Sequence, residues 1–254
     1  MITTPLHTTD RLILALDVPT ARDARELVEA LADTVSFYKI GLELFLSGEY
    51  FELADWLRAR GKRVFADLKL FDVPQTVGSA VGQLRRRDVD FVTVHGNDAI
   101  LRAACDAAAG TPGILAVTVL TSLDRADMED LGFEADVSAV VLSRARRAEA
   151  IGCAGVISSG LEAASIRSAV SDDFRIVVPG IRATVQSGTD DQKRTVDVET
   201  AFGAGADYIV MGRPIRNASD PAAAAAAIQD RIASCLEPAR IGRPYPGRPC
   251  ATSM

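Results

Sequence analysis

Three charged residues crowd the end of an apolar run in VFADLKLFDVPQTV, residues 64–77: Asp67, Lys69 and Asp72. Successive side chains on a β-strand point to opposite faces. Asp67 and Lys69 therefore share a face with Phe65 below them, and Leu68 turns the other way. By the same rule Lys39, in VSFYKI (35–40), shares a face with Phe37. Neighbouring strands lie about 4.8 Å apart, so Lys39, Asp67 and Lys69 can form a row of alternating charge. Such a row can hold and orient a charged reacting group, but it names no reaction. An isolated D-x-K is more often a structural ion pair, and buried pairs of that kind contribute little net stability.

The elements that must carry these residues repeat in one order. Short apolar, β-rich runs occur at 11–17, 35–40, 63–69, 90–95, 113–120, 154–158, 175–179 and 207–212. Helix-period, alanine-rich stretches follow them, for example at 20–32, 43–60, 74–87, 97–108, 137–150, 161–170 and 220–235. Eight strands, each followed by a helical region, predict a parallel sheet closed as a single-domain (β/α)8 TIM barrel. A doubly wound open sheet is the competitor. It would normally carry a Gly-rich turn after the first strand, where this chain reads LDVPTARD. The barrel is assigned to residues 1–237. Residues 238–254, rich in Pro, Gly and Arg, form a C-terminal extension.

In a barrel the C-terminal strand ends converge on one mouth, where active sites sit. Strand one ends in Asp17, and strand two carries Lys39. Strand three supplies Asp67 and Lys69, and strand four ends in His95. Strand five ends in Thr121 and Ser122. Strand seven runs into Pro179-Gly180-Ile181-Arg182, and strand eight into Gly212-Arg213. Glycines and an arginine after strands seven and eight fit a phosphate site. Gly212 would allow close backbone approach and Arg213 would supply a two-pronged donor. Gln192, in the polar loop 183–195, could reach the same oxygens. Residues and spacing thus predict a phosphorylated small molecule with a charged row at its reacting end.

The chain has 254 residues and a net charge of -6, which argues against a nucleic-acid or membrane-surface partner. No stretch reaches the length of a membrane span, and MITTPLHTTDR has no apolar signal core. Cys105, Cys153, Cys235 and Cys250 form no C-x-x-C, so a reduced, cytoplasmic protein is expected. With only His7 and His95, a Cys/His zinc cluster is not expected.

At this point ADLKLFDVPQT resembles the D-x-K-x-x-D-[IV]-P-x-T signature of the orotidine 5'-phosphate decarboxylase family. The resemblance extends through LILALDVP, YKIGLELF, VTVHG, AVTVLTS, VVPGIR, DDQKR and DYIVMGRPI, in that order along the chain. It implies decarboxylation of orotidine 5'-phosphate to uridine 5'-phosphate in pyrimidine synthesis, without metal or organic cofactor, by a homodimer with shared sites. Lys69 matches the lysine that protonates C6, and Asp67 the aspartate beside the substrate carboxylate. Lys39 matches the lysine that orders the network and, with Asp17, touches the ribose. Asp72 and Thr76 match residues that reach into the partner's site. Thr121 and Ser122 match the pyrimidine-contacting segment, and Arg182, Gln192, Gly212 and Arg213 the phosphate side.

The chain departs from the pattern at Phe71, where many members carry His or Tyr, and at Gln75, where many carry Asn. It also departs at 96–99 (GNDA), which lacks a small Ala/Gly run. Loss of CO2 from C6 leaves an in-plane electron pair with no enolate-type sink, so a fixed cation is the expected remedy. Magnesium-dependent hexulose-phosphate synthases and keto-gulonate-phosphate decarboxylases share the D-x-K-x-x-D core and are the nearest alternative. A non-catalytic nucleotide-binding barrel is the other.

Overall fold

The computed structural model describes residues 8–134, 136–182 and 194–236. His7, Gln192, Cys250 and the extension 238–254 lie outside them. Eight strands form: β1 (Leu12–Ala15), β2 (Phe37–Gly41), β3 (Arg63–Leu70), β4 (Phe91–Val94), β5 (Gly113–Val117), β6 (Gly155–Ile157), β7 (Arg175–Pro179) and β8 (Tyr208–Met211). Each pairs in parallel with its sequence neighbours, and β8 closes on β1. The helices are α1 (Ala21–Leu31), α2 (Leu42–Leu46), α3 (Tyr50–Arg58), α4 (Pro74–Arg85), α5 (Asp98–Ala108), α6 (Arg125–Asp130), α7 (Val137–Ile151), α8 (Ala163–Arg167), α9 (Val198–Gly203), α10 (Arg213–Arg216) and α11 (Pro221–Leu236). The expected (β/α)8 barrel is the observed architecture. Among the described residues, no helix is long and apolar enough to cross a membrane.

The strands read as unbroken apolar runs because both of their faces are buried. Ile13, Phe37, Phe65, Phe91, Leu115, Val177 and Tyr208 fill the interior. Alternate residues such as Leu12, Tyr38, Val64, Val92 and Ile209 pack outward against the helices. Phe91 stands in edge contact with Phe65 and Tyr208, at centroid distances of 6.2 and 5.5 Å, so aromatic rings plug the lower barrel. At Gly155 a Cβ would lie 2.2 Å from the Arg175 carbonyl oxygen, so only glycine lets β6 approach β7.

Three expectations about helices are corrected. The segment 43–60 forms two helices, α2 and α3, parted at Gly48, whose φ of 91° interrupts the helical ladder. The helix expected over 161–170 narrows to α8. Helices α6 and α9 were not foreseen, being too short for apolar periodicity to register. Their starts were nonetheless signalled at two places. Asp124 and Asp127 form a capping box at α6, and Asp197 caps α9 through the Thr200 N–H.

The barrel floor is fastened by one device used twice. The Asp90 carboxylate, just before β4, accepts from the Val64 N–H at 2.8 Å and from Arg63 Nε at 2.9 Å. Asp207, just before β8, accepts from the Ile176 N–H at 2.8 Å, with Arg167 at 2.7 Å and Arg175 at 3.3 Å. In each case an aspartate at the foot of one strand satisfies the backbone and the leading arginine of the strand before it. Asp207 is 9% exposed, so its loss would strand a buried N–H and two partly buried guanidinium groups. Asp207→Ala should lower the unfolding free energy by about 3 kcal/mol. A urea midpoint unchanged from wild type would contradict this role.

Candidate active site

At the mouth the alternating row is present and is one member longer than spacing implied. In register, Lys39 lies beside Ala15 and Phe65, two residues below Asp67, which faces Gly41. The Lys39 side chain therefore climbs the barrel interior. Its Nζ reaches Asp17 Oδ1 at 2.9 Å and Asp67 Oδ2 at 3.3 Å. Lys69 Nζ spans both Asp67 oxygens, at 2.9 and 3.0 Å. The charges run Asp17, Lys39, Asp67, Lys69. A Cβ at Gly41 would touch Lys39 Nζ at 3.4 Å and Asp17 Oδ1 at 3.5 Å, so glycine keeps a methyl group off the row.

The inner members of the row are buried and the outer ones are open. The Lys39 and Asp67 side chains are 11% and 12% exposed, against 38% for Lys69 and 50% for Asp17. Burial alone would drive Asp67 towards its neutral acid. The Lys39 and Lys69 charges, with hydrogen bonds from Lys69 and Thr93, outweigh it and hold the carboxyl below its ordinary range. Burial likewise pushes Lys39 down, and Asp67 and Asp17 more than reverse it, leaving that amine above its ordinary range. Lys39 and Asp67 therefore favour each other's charged forms.

The end of β3 is not the regular strand expected from alternation. Ala66 pairs with Val92 but Leu70 pairs with Val94, so Asp67, Leu68 and Lys69 together face the single residue Thr93. Lys69 adopts φ 47°, a left-handed conformation uncommon for a lysine. The bulge still leaves Asp67 and Lys69 in contact and packs Leu68 outward against the helix-side core. Thr93, which sequence reasoning missed, accepts from the Lys69 backbone N–H and donates to Asp67 Oδ1, both at 2.9 Å. Its signal was a polar residue on the same face of β4 as Phe91.

The remaining candidates fall around this row. Asp72 and Thr76 are exposed on the α4 side, and Asp72 Oδ1 accepts from the Val73 N–H at 2.6 Å. Within one chain, then, Asp72 is not drawn into the row. Phe71 is 68% exposed and packs at 5.3 Å against His95, whose Nδ1 has no partner among the described residues. Burial, then Arg144 and Lys69, keep His95 below the usual histidine range.

Thr121 is buried and Ser122 half-buried just beyond β5. Arg194, also missed, braces that segment. It pairs with Glu162 at 2.7 Å and donates to the Val119 and Leu120 carbonyls at 3.3 and 3.2 Å. The Arg182 N–H donates to the Val196 carbonyl at 3.0 Å, joining the two chain segments that flank 183–193. The Gly212 carbonyl accepts the Ile215 and Arg216 N–H groups of α10, and a Cβ there would stand 3.8 Å from Asp17 Oδ2. This brings the phosphate-side candidates Gly212 and Arg213 beside the first acid of the row. Among the described residues no group of three or more His, Cys, Asp or Glu could hold a metal.

The chain is similar to known proteins over most of its length. The family model described as "Orotidine 5'-phosphate decarboxylase / HUMPS family" matches residues 10–228. An orotidine 5'-phosphate decarboxylase of Methylococcus capsulatus is 59% identical over 228 residues, 90% of this chain and 94% of that one. One from Xanthomonas euvesicatoria is 54% identical over 91% of this chain and 96% of its own. The crystal structure of orotidine 5'-phosphate decarboxylase from Lactobacillus acidophilus superposes with a TM-score of 0.78 at 32% identity, covering 88% of this chain and 99% of that one.

The two shifts fix a pH dependence. Asp67 titrates lower folded than unfolded, so its contribution is complete above its unfolded value and is lost as pH falls through the folded one. Lys39 titrates higher folded, so its contribution is complete below its unfolded value and is lost as pH rises through the folded one. On the acid side, the stability difference between wild type and Asp67→Asn should shrink only below about pH 4, where Asp67 takes up its proton. Urea unfolding as a function of pH checks it. A change centred near neutrality would mean that another group governs the row.

Proposed function

The chain belongs to the orotidine 5'-phosphate decarboxylase / HUMPS family, and from that premise we propose that it decarboxylates orotidine 5'-phosphate to uridine 5'-phosphate and CO2. The observation that carries the reading is the row Asp17–Lys39–Asp67–Lys69, with an ammonium at its mouth-facing end. The enzyme is a carbon–carbon lyase of pyrimidine synthesis.

The chemistry follows from the order of charges. Breaking the C6–carboxylate bond leaves its electron pair on C6, and the Lys69 ammonium is the cation positioned to meet that charge. Lys69 then donates a proton to C6, giving the C–H bond of the product. Asp67, bound through both oxygens, fixes where the ammonium sits and stands beside the departing carboxylate. Lys39 and Asp17 hold Asp67 from below and engage the ribose. Thr121 and Ser122 contact the pyrimidine, and Arg182, Gln192, Gly212 and Arg213 take the phosphate. Phosphate binding, remote from C6, supplies energy that assembles the reacting end. A cytoplasmic setting fits a substrate whose phosphate charge keeps it from crossing membranes.

Purified protein given orotidine 5'-phosphate in EDTA should abolish the orotate absorbance with formation of uridine 5'-phosphate. Lys69→Ala should lose most of kcat while still binding uridine 5'-phosphate, because its charge matters most in the transition state. A variant retaining a tenth of wild-type turnover would remove Lys69 from the role of cation and acid. Turnover only of a sugar phosphate, and only with magnesium, would favour the metal-dependent branch of the family.

The site is proposed to be completed by a second subunit. Phe71 and Val73, on either side of Asp72, are 68% and 62% exposed, and Leu42 and Leu46 on α2 are 53% and 81% exposed. Apolar side chains of this size flanking the mouth suit a two-fold interface that carries Asp72 and Thr76 into the neighbouring site. Lys69→Ala and Asp72→Ala subunits, each inactive alone, are mixed equally and allowed to exchange. If pairing is random, half of the dimers are mixed, and each mixed dimer has one site with both residues intact. Activity should therefore return to about a quarter of wild type. Activity fixed at the parental baseline, with exchange confirmed by mass spectrometry, would place Asp72 in its own subunit's site.

A further inference from the structure

Where β3 leaves its regular register, the Lys69 backbone turns to φ 47° and its N–H is freed from the strand ladder. Thr93 Oγ1 accepts that N–H at 2.9 Å. The same hydroxyl donates to Asp67 Oδ1 at 2.9 Å. The direction of both bonds is settled by chemistry, since an amide N–H only donates and a carboxylate only accepts. Asp67 Oδ1 also takes Lys69 Nζ at 2.9 Å, so the three residues close a loop from the lysine's backbone, through Thr93 and Asp67, to the lysine's own ammonium. Thr93 is 0% exposed, so water cannot stand in for a lost hydroxyl without rearrangement.

We propose that Thr93 is a positioning residue for the decarboxylation: its hydroxyl locks the left-handed turn at Lys69 to the Asp67 carboxylate and so aims the ammonium. It touches neither substrate nor reacting atoms, and the inference rests on the functional reading above. Replacing the hydroxyl by a methyl group keeps the volume but leaves the Lys69 N–H buried without an acceptor. The turn then loses the contact that holds it, and Asp67 loses the only donor that fixes its plane from the β4 side among the described residues. The ammonium, now tethered only to a rotating carboxylate, spends less time where charge develops. A loss of this kind falls on kcat, because binding of the phosphate and ribose is elsewhere.

The test compares Thr93→Val with Thr93→Ser on orotidine 5'-phosphate. Thr93→Val should lower kcat about tenfold or more, with the dissociation constant for uridine 5'-phosphate changed by less than about threefold. Thr93→Ser, which keeps the hydroxyl and drops the methyl, should recover most of that loss. Active sites counted by uridine 5'-phosphate titration separate lowered turnover from a smaller folded fraction. If Thr93→Val fails to fold, Thr93→Cys replaces it, since a thiol is a weak partner for both groups, and it should fall well below Thr93→Ser. Wild-type kcat in Thr93→Val, or equal loss in the hydroxyl-bearing and hydroxyl-free variants, overturns the inference. Absence of turnover in the wild type instead overturns the functional reading on which it rests.

Discussion

A carboxylate largely removed from water between two ammonium groups is the arrangement on which the rest of the mouth depends. Burial alone would favour the neutral acid at Asp67 and the neutral amine at Lys39. Together, and with Lys69 and Asp17 at the ends, they remain ions. Several otherwise unrelated features serve that outcome. Lys39 is rooted low enough for its chain to rise between two aspartates. Gly41 leaves the neighbouring space empty of carbon. The two extra residues in β3 bring Lys69 back over Asp67 instead of letting it continue past the rim.

The two ends of the barrel divide the labour. The floor is closed by aromatic rings and by the paired fastenings at Asp90 and Asp207, whose carboxylates are paired with backbone N–H groups and arginines. The mouth holds side chains left partly open, Lys69 and Asp17, and a buried His95 nitrogen without a partner among the described residues. At the mouth, the left-handed lysine and the shifted register both lie at the C-terminal end of β3, where strain can be tolerated because the strand below it is held on both faces.

Much of this was legible in the sequence. Eight apolar runs announced the strands because their double burial leaves no polar alternation to confuse the reading. The shared face of Asp67 and Lys69 followed from their spacing. Thr93 could not be ranked among the site residues, since its contacts exist only once β3 departs from regular alternation, and no local residue pattern declares that departure. Arg194 was hidden for a related reason: its partners, Glu162 and the Val119 and Leu120 carbonyls, are 32, 75 and 74 positions away. The short helices α6 and α9 escaped because six residues make less than two turns, too little for a period to show. Asp72, turned to its own backbone at the surface, is a residue whose role one chain cannot display.

The row also has a bearing on how molecules reach the mouth. Two acids and two bases sum to zero, and the chain around them carries -6. Beyond a Debye length, about 8 Å at physiological salt, such a set presents opposed fields that largely cancel. An approaching anion is therefore not drawn in from a distance by the lysines at the centre of the site. Its long-range approach is governed by diffusion against a mildly repulsive molecule. The central charges become visible only at contact.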